Sequence, residues 1–401
     1  MTQSSARTAN WTRTHVADVC ETVSVGIVIQ PSQYYVEADH GVRAFRSANV
    51  GENRVIDRDW VYLSPEGHKK NAKSALQAGD VLVVRSGVFA GTACVVSDTY
   101  AGSNCIDIVF ARPNRDLLIP EYLAEVTNSP IGCRHVSDTK GGLAIGHFNV
   151  SAFKKLPLLL PSVDEQRRIV TAISFWDAAI QKTEQLIAAK ERHYSHELSR
   201  LISRGQHPHG HIGTFAEEGS ARNRGGNEAR VLSVTNSRGF VLPEDQFERR
   251  VASADLSNYK VVRRGQYAYN PSRINVGSIA RLDGWDDGVL SPMYVVFRLD
   301  DAKIESDYFL HWLNSHEARQ RIKNSAQGSV RETVSFSEFS AITIPLPDSN
   351  TQTAIARYLN ALREEIDLLG RSVAALKSQK RGLMQKLLTG QWRLPVQEEA
   401  N

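Results

Sequence analysis

The sequence predicts an α+β chain written twice. Two globular domains of mixed helix and strand are each followed by a long helix, and the two helices pair antiparallel as a coiled coil with an internal pseudo-twofold. Three observations predict this. Matching residues recur at one offset through most of the chain. Short Val- and Ile-rich runs punctuated by glycine occur in both halves. Two long stretches carry apolar residues at alternating spacings of four and three, the pattern of a helix seam.

The offset is 186 residues. It pairs Pro161 with Pro347, Gln166 with Gln352, Ile169 with Ile355, Phe153 with Phe339 and Ser151 with Ser337. It also pairs Gly142 with Gly328, Asn128-Ser129 with Asn314-Ser315, Tyr122 with Tyr308, Gly91 with Gly277 and Gly79 with Gly265. Chance matches do not keep one register over such a span, so the chain is read as a duplication. The register slips in the N-terminal part of each half and by one residue at the helix ends.

The strands expected in the first half are 79–87, 92–96 and 106–113, with 230–236, 266–272, 277–282 and 293–299 in the second. A short helix follows each set, near 119–129 and near 305–324. The first long helix starts after Pro161 with Asp164 and Glu165, which suit a helix N-terminus. Its seam is Ile169, Ile173, Trp176, Ile180 and Ile187, continuing to Tyr194 and Leu201. The second seam is Ile355, Leu359, Leu362, Ile366, Leu369, Val373 and Leu376, continuing to Leu383 and Leu387. Thr183, Lys190 and Glu197 stand where the second copy has Leu369, Leu376 and Leu383, so the weaker stripe needs the stronger partner. A helix of about 39 residues is roughly 58 Å long, more than one globular domain covers. The resulting boundaries are 1–160 for the first domain, 161–204 for the first helix, 205–346 for the second domain, 347–390 for the second helix and 391–401 for a tail. Gly382, with His196 as its counterpart, is read as permitting close approach of the partner helix or of another subunit.

Composition narrows the function. The 401 residues are 41% hydrophobic and 23% charged, with a formal net charge of +4. That permits an anionic partner without requiring one. No apolar run reaches the ~18 residues of a membrane span, and the N-terminal stretch has no apolar signal core. Cys20, Cys94, Cys105 and Cys133 form no CxxC pair, which fits a reduced, cytoplasmic setting better than a disulfide framework or zinc site.

Motifs for nucleotide, zinc-protease and serine-hydrolase chemistry are absent from the sequence. Asn270-Pro271-Ser272-Arg273 is similar to the Asn-Pro-Pro-aromatic loop of amino-methyltransferases but lacks the second proline and the aromatic. His207, His209 and His211 are read as a polar linker rather than metal ligands, and Asp286-Asp287 as a hairpin turn. Basic and polar residues recur on matching loops: Arg85, Ser86, Arg134, His135, Lys140 and His147 in the first half, and Asn270, Ser272, Arg273, Lys323 and Arg331 in the second. These are residue types that bind phosphates and read base edges.

Two variable halves, each closing in a Pro, a Gln-containing turn and a long helix, resemble the specificity (S) subunit of type I restriction-modification enzymes. The stretches that carry the likeness are LPLLLPSVDEQRRIV with its helix to SRGQ, and GSVRETVSFSEFSAITIPLPDSNTQTAIARYL with its helix to KRGLMQKLLTGQWRL. Two departures stand out: Thr351 occupies the place of Glu165, and the first helix end carries one extra residue. The resemblance implies that each globular part is a target-recognition domain reading half of a bipartite, asymmetric duplex DNA site. It implies partners: modification (methyltransferase) subunits, two of them, bringing S-adenosylmethionine, and restriction (translocase-nuclease) subunits bringing ATP and Mg. The chain itself would hold no cofactor and no catalytic residue. The alternatives are a coiled-coil scaffold and a recognition subunit of a related phage-defence system.

Half-sites read from one face of B-DNA lie about one helical turn, ~34–36 Å, apart, a distance that a rigid helix can set and a flexible linker cannot. Inserting four residues into one helix is therefore expected to change the permitted spacer between half-sites. A methylation-site map reads this directly, and an unchanged spacer would sink it.

Overall fold

A computed structural model describes residues 11–140, 147–226, 230–245, 255–326 and 333–395. The chain divides into two compact units, Met1–Thr183 with Ser372–Asn401, and Glu184–Arg371. The division falls inside the two long helices, so each unit contains a segment of both.

The first unit opens with β1 (Thr12–His15) and β2 (Cys20–Val25), followed by β3 (Val81–Val84), β4 (Ala93–Val95) and β5 (Ile108–Pro113). Helices α1 (Pro120–Asn128), α2 (Pro130–Lys140) and α3 (Val150–Lys154) come next, then β6 (Pro157–Leu160) and the long α4 (Val163–Leu198). The main sheet has the order β2-β5-β3-β4, antiparallel throughout. Both its faces are covered, which is why β3 reads as an unbroken Val-Leu-Val-Val run. Val81 and Val83 face the helices, with Tyr122, Ile169, Ile173 and Met384. Leu82 and Val84 face a second layer with Phe45 and Phe110. Strand β1 pairs with β6, beside the start of α4.

The second unit repeats this plan. Its elements are β7 (His209–His211), β8 (Ala216–Glu218), β9 (Tyr267–Tyr269), β10 (Ile279–Arg281), β11 (Val295–Leu299), α5 (Ser306–Leu313), α6 (His316–Ala326), α7 (Phe336–Ser340), β12 (Thr343–Pro345) and the long α8 (Ser349–Leu388). The sheet order is β8-β11-β9-β10, the same arrangement position for position. Strand β7 pairs with β12 as β1 does with β6. The duplication read from the sequence is therefore a duplication of fold.

The paired residues do matching work. Gln166 and Gln352 are both buried at the first turn of their long helices. Gln166 Nε2 donates to the carbonyls of Pro161 (2.9 Å) and Leu117 (2.8 Å), and its Oε1 accepts from the backbone of Ile119 (2.9 Å). Gln352 Nε2 donates to Pro347 (2.8 Å), and its Oε1 accepts from the backbone of Glu305 (2.8 Å). Tyr122 and Tyr308 donate to the carbonyls of Leu159 and Pro345. Gly91 and Gly277 both adopt φ +95°, where an L side chain is strained.

Within each unit the segments of α4 and α8 run antiparallel: contacts climb one helix as they descend the other. In the first unit Lys380 of α8 meets Asp177 of α4 at 2.7 Å. In the second, Lys190 meets Glu365 at 2.7 Å, and Arg363 lies 5.2 Å from the Tyr194 ring centre. Among the predicted seam residues, Ile169, Ile173, Ile180, Ile355, Leu359, Ile366 and Val373 are buried. Trp176, Ile187, Leu362, Leu369 and Leu376 are half-buried. The polar Lys190 is accommodated by its ion pair rather than by apolar contact.

Several expectations need correcting. The short helix expected near 119–129 is α1, and a further helix, α2, follows it after Ser129-Pro130, where proline supplies no N–H donor. The one expected near 305–324 is two helices, broken at Asn314-Ser315, where the Ser315 hydroxyl accepts from the Ala318 backbone at 3.0 Å. Asp286-Asp287 is not a hairpin turn: Asp287 begins a strand, Asp287–Leu290, that pairs with Lys260–Arg263, and Asp286 binds Arg264. His209 and His211 belong to β7, not to a linker. Gly382 does not serve helix packing, because a Cβ there would meet nothing within 4 Å. The extra residue at the first helix end is absorbed by a π turn, Ser199–Ser203, in which the Arg204 amide reaches back to Ser199 at 2.8 Å. The second helix instead stops at Gly390, φ +68°.

Each unit buries a polar contact between its first helix and the rods, with different chemistry. In the first unit Lys380 is 3% exposed, and its Nζ lies 3.0 Å from Glu52 and 2.7 Å from Asp177. Burial pushes the nearby Glu125 up to about 7, assisted by Asp177 and Glu52 and opposed by Lys380 and Asn53. By the offset, the counterparts of Glu125, Asp177 and Lys380 are His311, Arg363 and Tyr194. The Tyr194 hydroxyl lies 2.9 Å from His311 Nδ1, and His311 Nε2 lies 2.9 Å from Asn360 Oδ1. Asn360 also donates to Asp307, which turns its amide oxygen toward His311, so His311 Nε2 carries a proton. Burial lowers the His311 pKa, which favours the neutral ring.

Glu125 holds its proton more tightly folded than unfolded, so its contribution to stability is lost as pH rises from about 4.5 to about 7. Glu125→Gln should therefore gain on the wild type by about 2–3 kcal/mol between pH 5 and pH 8. Urea unfolding midpoints at the two pH values measure the difference, and parallel pH profiles would contradict it.

Candidate nucleic-acid interface

One end of the main sheet gathers chemistry in both units. Because β2, β5 and β3 are antiparallel neighbours, the C-terminal ends of β2 and β3 lie beside the start of β5, with Ile108 opposite Val84 and Val109 opposite Val25. The loops leaving β2 and β3 therefore converge there. Backbone bonds continue the sheet outward, from Gly26 to Ile108, Ile27 to Cys105 and Asp107 to Ile27, at 2.9–3.0 Å.

The centre of this surface is polar. Arg85, at the end of β3, donates through Nη1 to Asp107 Oδ1 at 2.6 Å. Ser86 Oγ lies 3.0 Å from His147 Nδ1 and 3.5 Å from Asp107 Oδ2. Asp107 holds a left-handed backbone, φ +51°, that aims its carboxylate between them. The Phe148 amide donates to the Arg85 carbonyl at 2.9 Å and fastens the lead-in of α3 to the same loop. In the second unit the Val334 amide donates to Pro271 at 3.1 Å in the equivalent contact. There the Asn270 side chain caps the loop by accepting from the Ser272 backbone at 3.0 Å, and Ser272 and Arg273 are exposed.

The sequence-predicted residues thus fall into groups. Arg85, Ser86 and His147 come together in one network. Asn270, Ser272 and Arg273 share one loop at the equivalent place. Arg134 is exposed on α2, whereas the His135 ring turns inward, its Nε2 2.8 Å from the Ala152 carbonyl. Lys323 is exposed on α6, while Arg321 is tied to Glu317 and Thr343. Arg331 and the side chain of Lys140 lie outside the described residues. Sequence reading missed Asp107, which neutralises Arg85, and the apolar Val88-Phe89 between Gly87 and Gly91. The signal for the latter was present as two large apolar residues inside a glycine-bounded turn.

Among the described residues no three His, Cys, Asp or Glu side chains group as a metal site, and no helix is long and apolar enough to cross a membrane. His207 and His211 each place a ring nitrogen against a backbone carbonyl, of Leu201 and Ala341. The four cysteines are unpaired.

Two copies of one scaffold thus offer different side chains from the same sheet end. The type I restriction modification DNA specificity domain matches residues 272–378. A putative type I restriction enzyme MjaX specificity subunit of Methanocaldococcus jannaschii is 20% identical, covering 96% of this chain and 94% of its own. The type I restriction enzyme StySPI specificity subunit of Salmonella potsdam is 22% identical, over 90% of this chain and 85% of its own. The type I restriction-modification S subunit of M. genitalium superposes with a TM-score of 0.55 at 13% identity, over 94% of this chain and 96% of that one. A chain from a structural study of complex assembly and conformational transition in a type I R-M system gives 0.60 at 16% identity, over 94% and 97%. Residues 272–378 thus match the DNA specificity domain of type I restriction-modification systems, and the likeness to specificity subunits runs over nine-tenths of the chain or more.

Asp107 sets the charge of the first unit's network. Asp107→Asn should release Arg85, tighten non-specific duplex binding and steepen the dependence of log K on log salt by about 0.9. A salt titration of the assembled complex reads the slope, and an unchanged slope would exclude Arg85 from phosphate contact.

Proposed function

We propose that each unit reads one half of a bipartite, asymmetric duplex DNA site, and that the chain brings modification and restriction subunits to that site. The observation that carries this reading is conserved scaffold with divergent display. Sheet order, the buried glutamine and the tyrosine-to-carbonyl bond are the same in both units. At the shared sheet end, the first unit offers Arg85, Ser86, Asp107 and His147, and the second offers Asn270, Ser272 and Arg273. One backbone with two sets of hydrogen-bonding groups suits two different short sequences.

On this reading the chain contributes positioning and selection, and the chemistry is done by others. S-adenosylmethionine and methyl transfer belong to two modification subunits, and ATP, Mg and cleavage to restriction subunits. Four unpaired cysteines support a reducing cytoplasmic setting.

Methylome sequencing of the host with and without the gene tests this. The expected result is loss of one bipartite adenine-methylation motif. Exchanging residues 205–346 for those of a relative should change one half of that motif and leave the other intact. Loss of no motif on deletion, or change of both halves on exchange, would contradict the assignment.

A further inference from the structure

The first unit's sheet end is rimmed by large apolar side chains that nothing in its fold covers. Val28 and Ile29, leaving β2, are 48% and 80% exposed, and Val88 and Phe89, leaving β3, are 96% and 73% exposed. The β3–β4 loop does not collapse over them. Gly87 (φ +79°) and Gly91 (φ +95°) set its course. Backbone bonds from Gly91 to Val84 (2.8 Å), Ala90 to Gly87 (3.3 Å) and Thr92 to Phe89 (3.0 Å) hold it as a compact turn with Val88 and Phe89 at the tip. Between the two apolar pairs lies the Arg85–Asp107–Ser86–His147 network.

We propose that Val88 and Phe89 read the 5-methyl groups of thymine in the major groove, so that the half-site of the first unit carries thymine at contacted positions. The proposal rests on the DNA-reading role given above and names its chemistry. A protein core or a lipid surface would match an apolar patch, but not one built around an ion pair and two hydrogen-bonding side chains. The major-groove floor offers hydrogen-bonding edges interspersed with a single kind of apolar group, the thymine methyl. The second unit makes the contrast. By the offset, Arg273 and Asn275 stand where the first unit has Gly87 and Phe89, so the second unit's loop replaces the glycine and the aromatic with hydrogen-bonding side chains and keeps one exposed aliphatic, Val276 at 60%. The aromatic contact would then be confined to the first unit's loop.

The test uses the full chain assembled with its modification subunits and the motif obtained from the methylome. Domain exchange of 205–346 identifies the half-site that stays with the first unit. Duplexes in which thymines of that half are replaced, one at a time, by deoxyuridine lose the methyl group and nothing else. The expected result is a loss of binding of roughly fourfold for each contacted methyl. That loss should vanish in Phe89→Ala with Val88→Ala, while deoxyuridine in the other half has no effect through these residues. A first-unit half-site without thymine on either strand would overturn the proposal. So would indifference of the wild type to deoxyuridine, or a double variant that assembles and keeps the wild-type deoxyuridine response. Should the double variant misfold, the wild-type deoxyuridine series still decides. If the wild-type complex binds no duplex specifically, the DNA-reading role itself fails, a result distinct from specific binding that ignores the methyl groups.

Discussion

A primary amide has two donors and an acceptor in one rigid plane, and both units use one at the point where globular domain becomes helix. Gln166 and Gln352 sit on the first turn of their helices, buried, bonded to the proline carbonyl five residues back and to a backbone amide that leads into the next domain helix. Leaving such an amide unsatisfied inside a protein costs about 1–3 kcal/mol, so the helix start, the preceding proline strand and the α1 or α5 entry are constrained together. Together with the packing of Val81 and Val83 against Ile169 and Ile173, this joint fixes the sheet relative to the start of the helix.

On that shared frame the halves differ where they must be told apart. Glu165 is buried, accepting from Trp11 Nε1 and from the Arg393 guanidinium, and so holds both ends of the first unit's chain on α4. Thr351, its counterpart, donates through its backbone amide and hydroxyl to the Asp348 carboxylate, which caps the helix locally. The buried Lys380 cluster is matched by a neutral Tyr194–His311–Asn360 chain. A removed partner in a buried charge group costs more than one in a neutral chain, so each domain suits its own helix segments better than those of the other half.

Much of this was legible in the sequence. The offset of 186 located equivalent glycines, tyrosines, phenylalanines and glutamines, because a duplicated fold keeps the residues its turns and clamps require. Three of the four main-sheet strands in each half were visible, as apolar runs bounded by glycine; β2 and β8, whose residues are part-exposed, were not. The seam was visible at Ile169, Ile173, Ile355 and Leu359. The second helix of the first half and the break at Asn314-Ser315 were not, since such short joints leave the helical composition unbroken. The Arg85–Asp107 pair was also hidden: 22 residues separate its members, and only strand register brings them together. Lys380 stands on the seam, four residues after Leu376 and three before Leu383, so its inward position was readable, whereas its acidic partners Glu52 and Asp177 were not. In the candidate interface, residue types were readable from the sequence, whereas their mutual neutralisation required the fold.

The π turn at Ser199–Ser203 bears on how the two halves could diverge. An added residue in a regular helix rotates everything beyond it by about 100° and would carry core side chains to the wrong face. Here Leu198 and Ile202 are buried, as are Met384 and Leu388 at the corresponding places. The added residue falls after them and is taken up by a wider hydrogen-bonded ring. The helix end thus acts as a length buffer, a place where insertions and deletions leave the phase of the core unchanged and alter only the connection that follows.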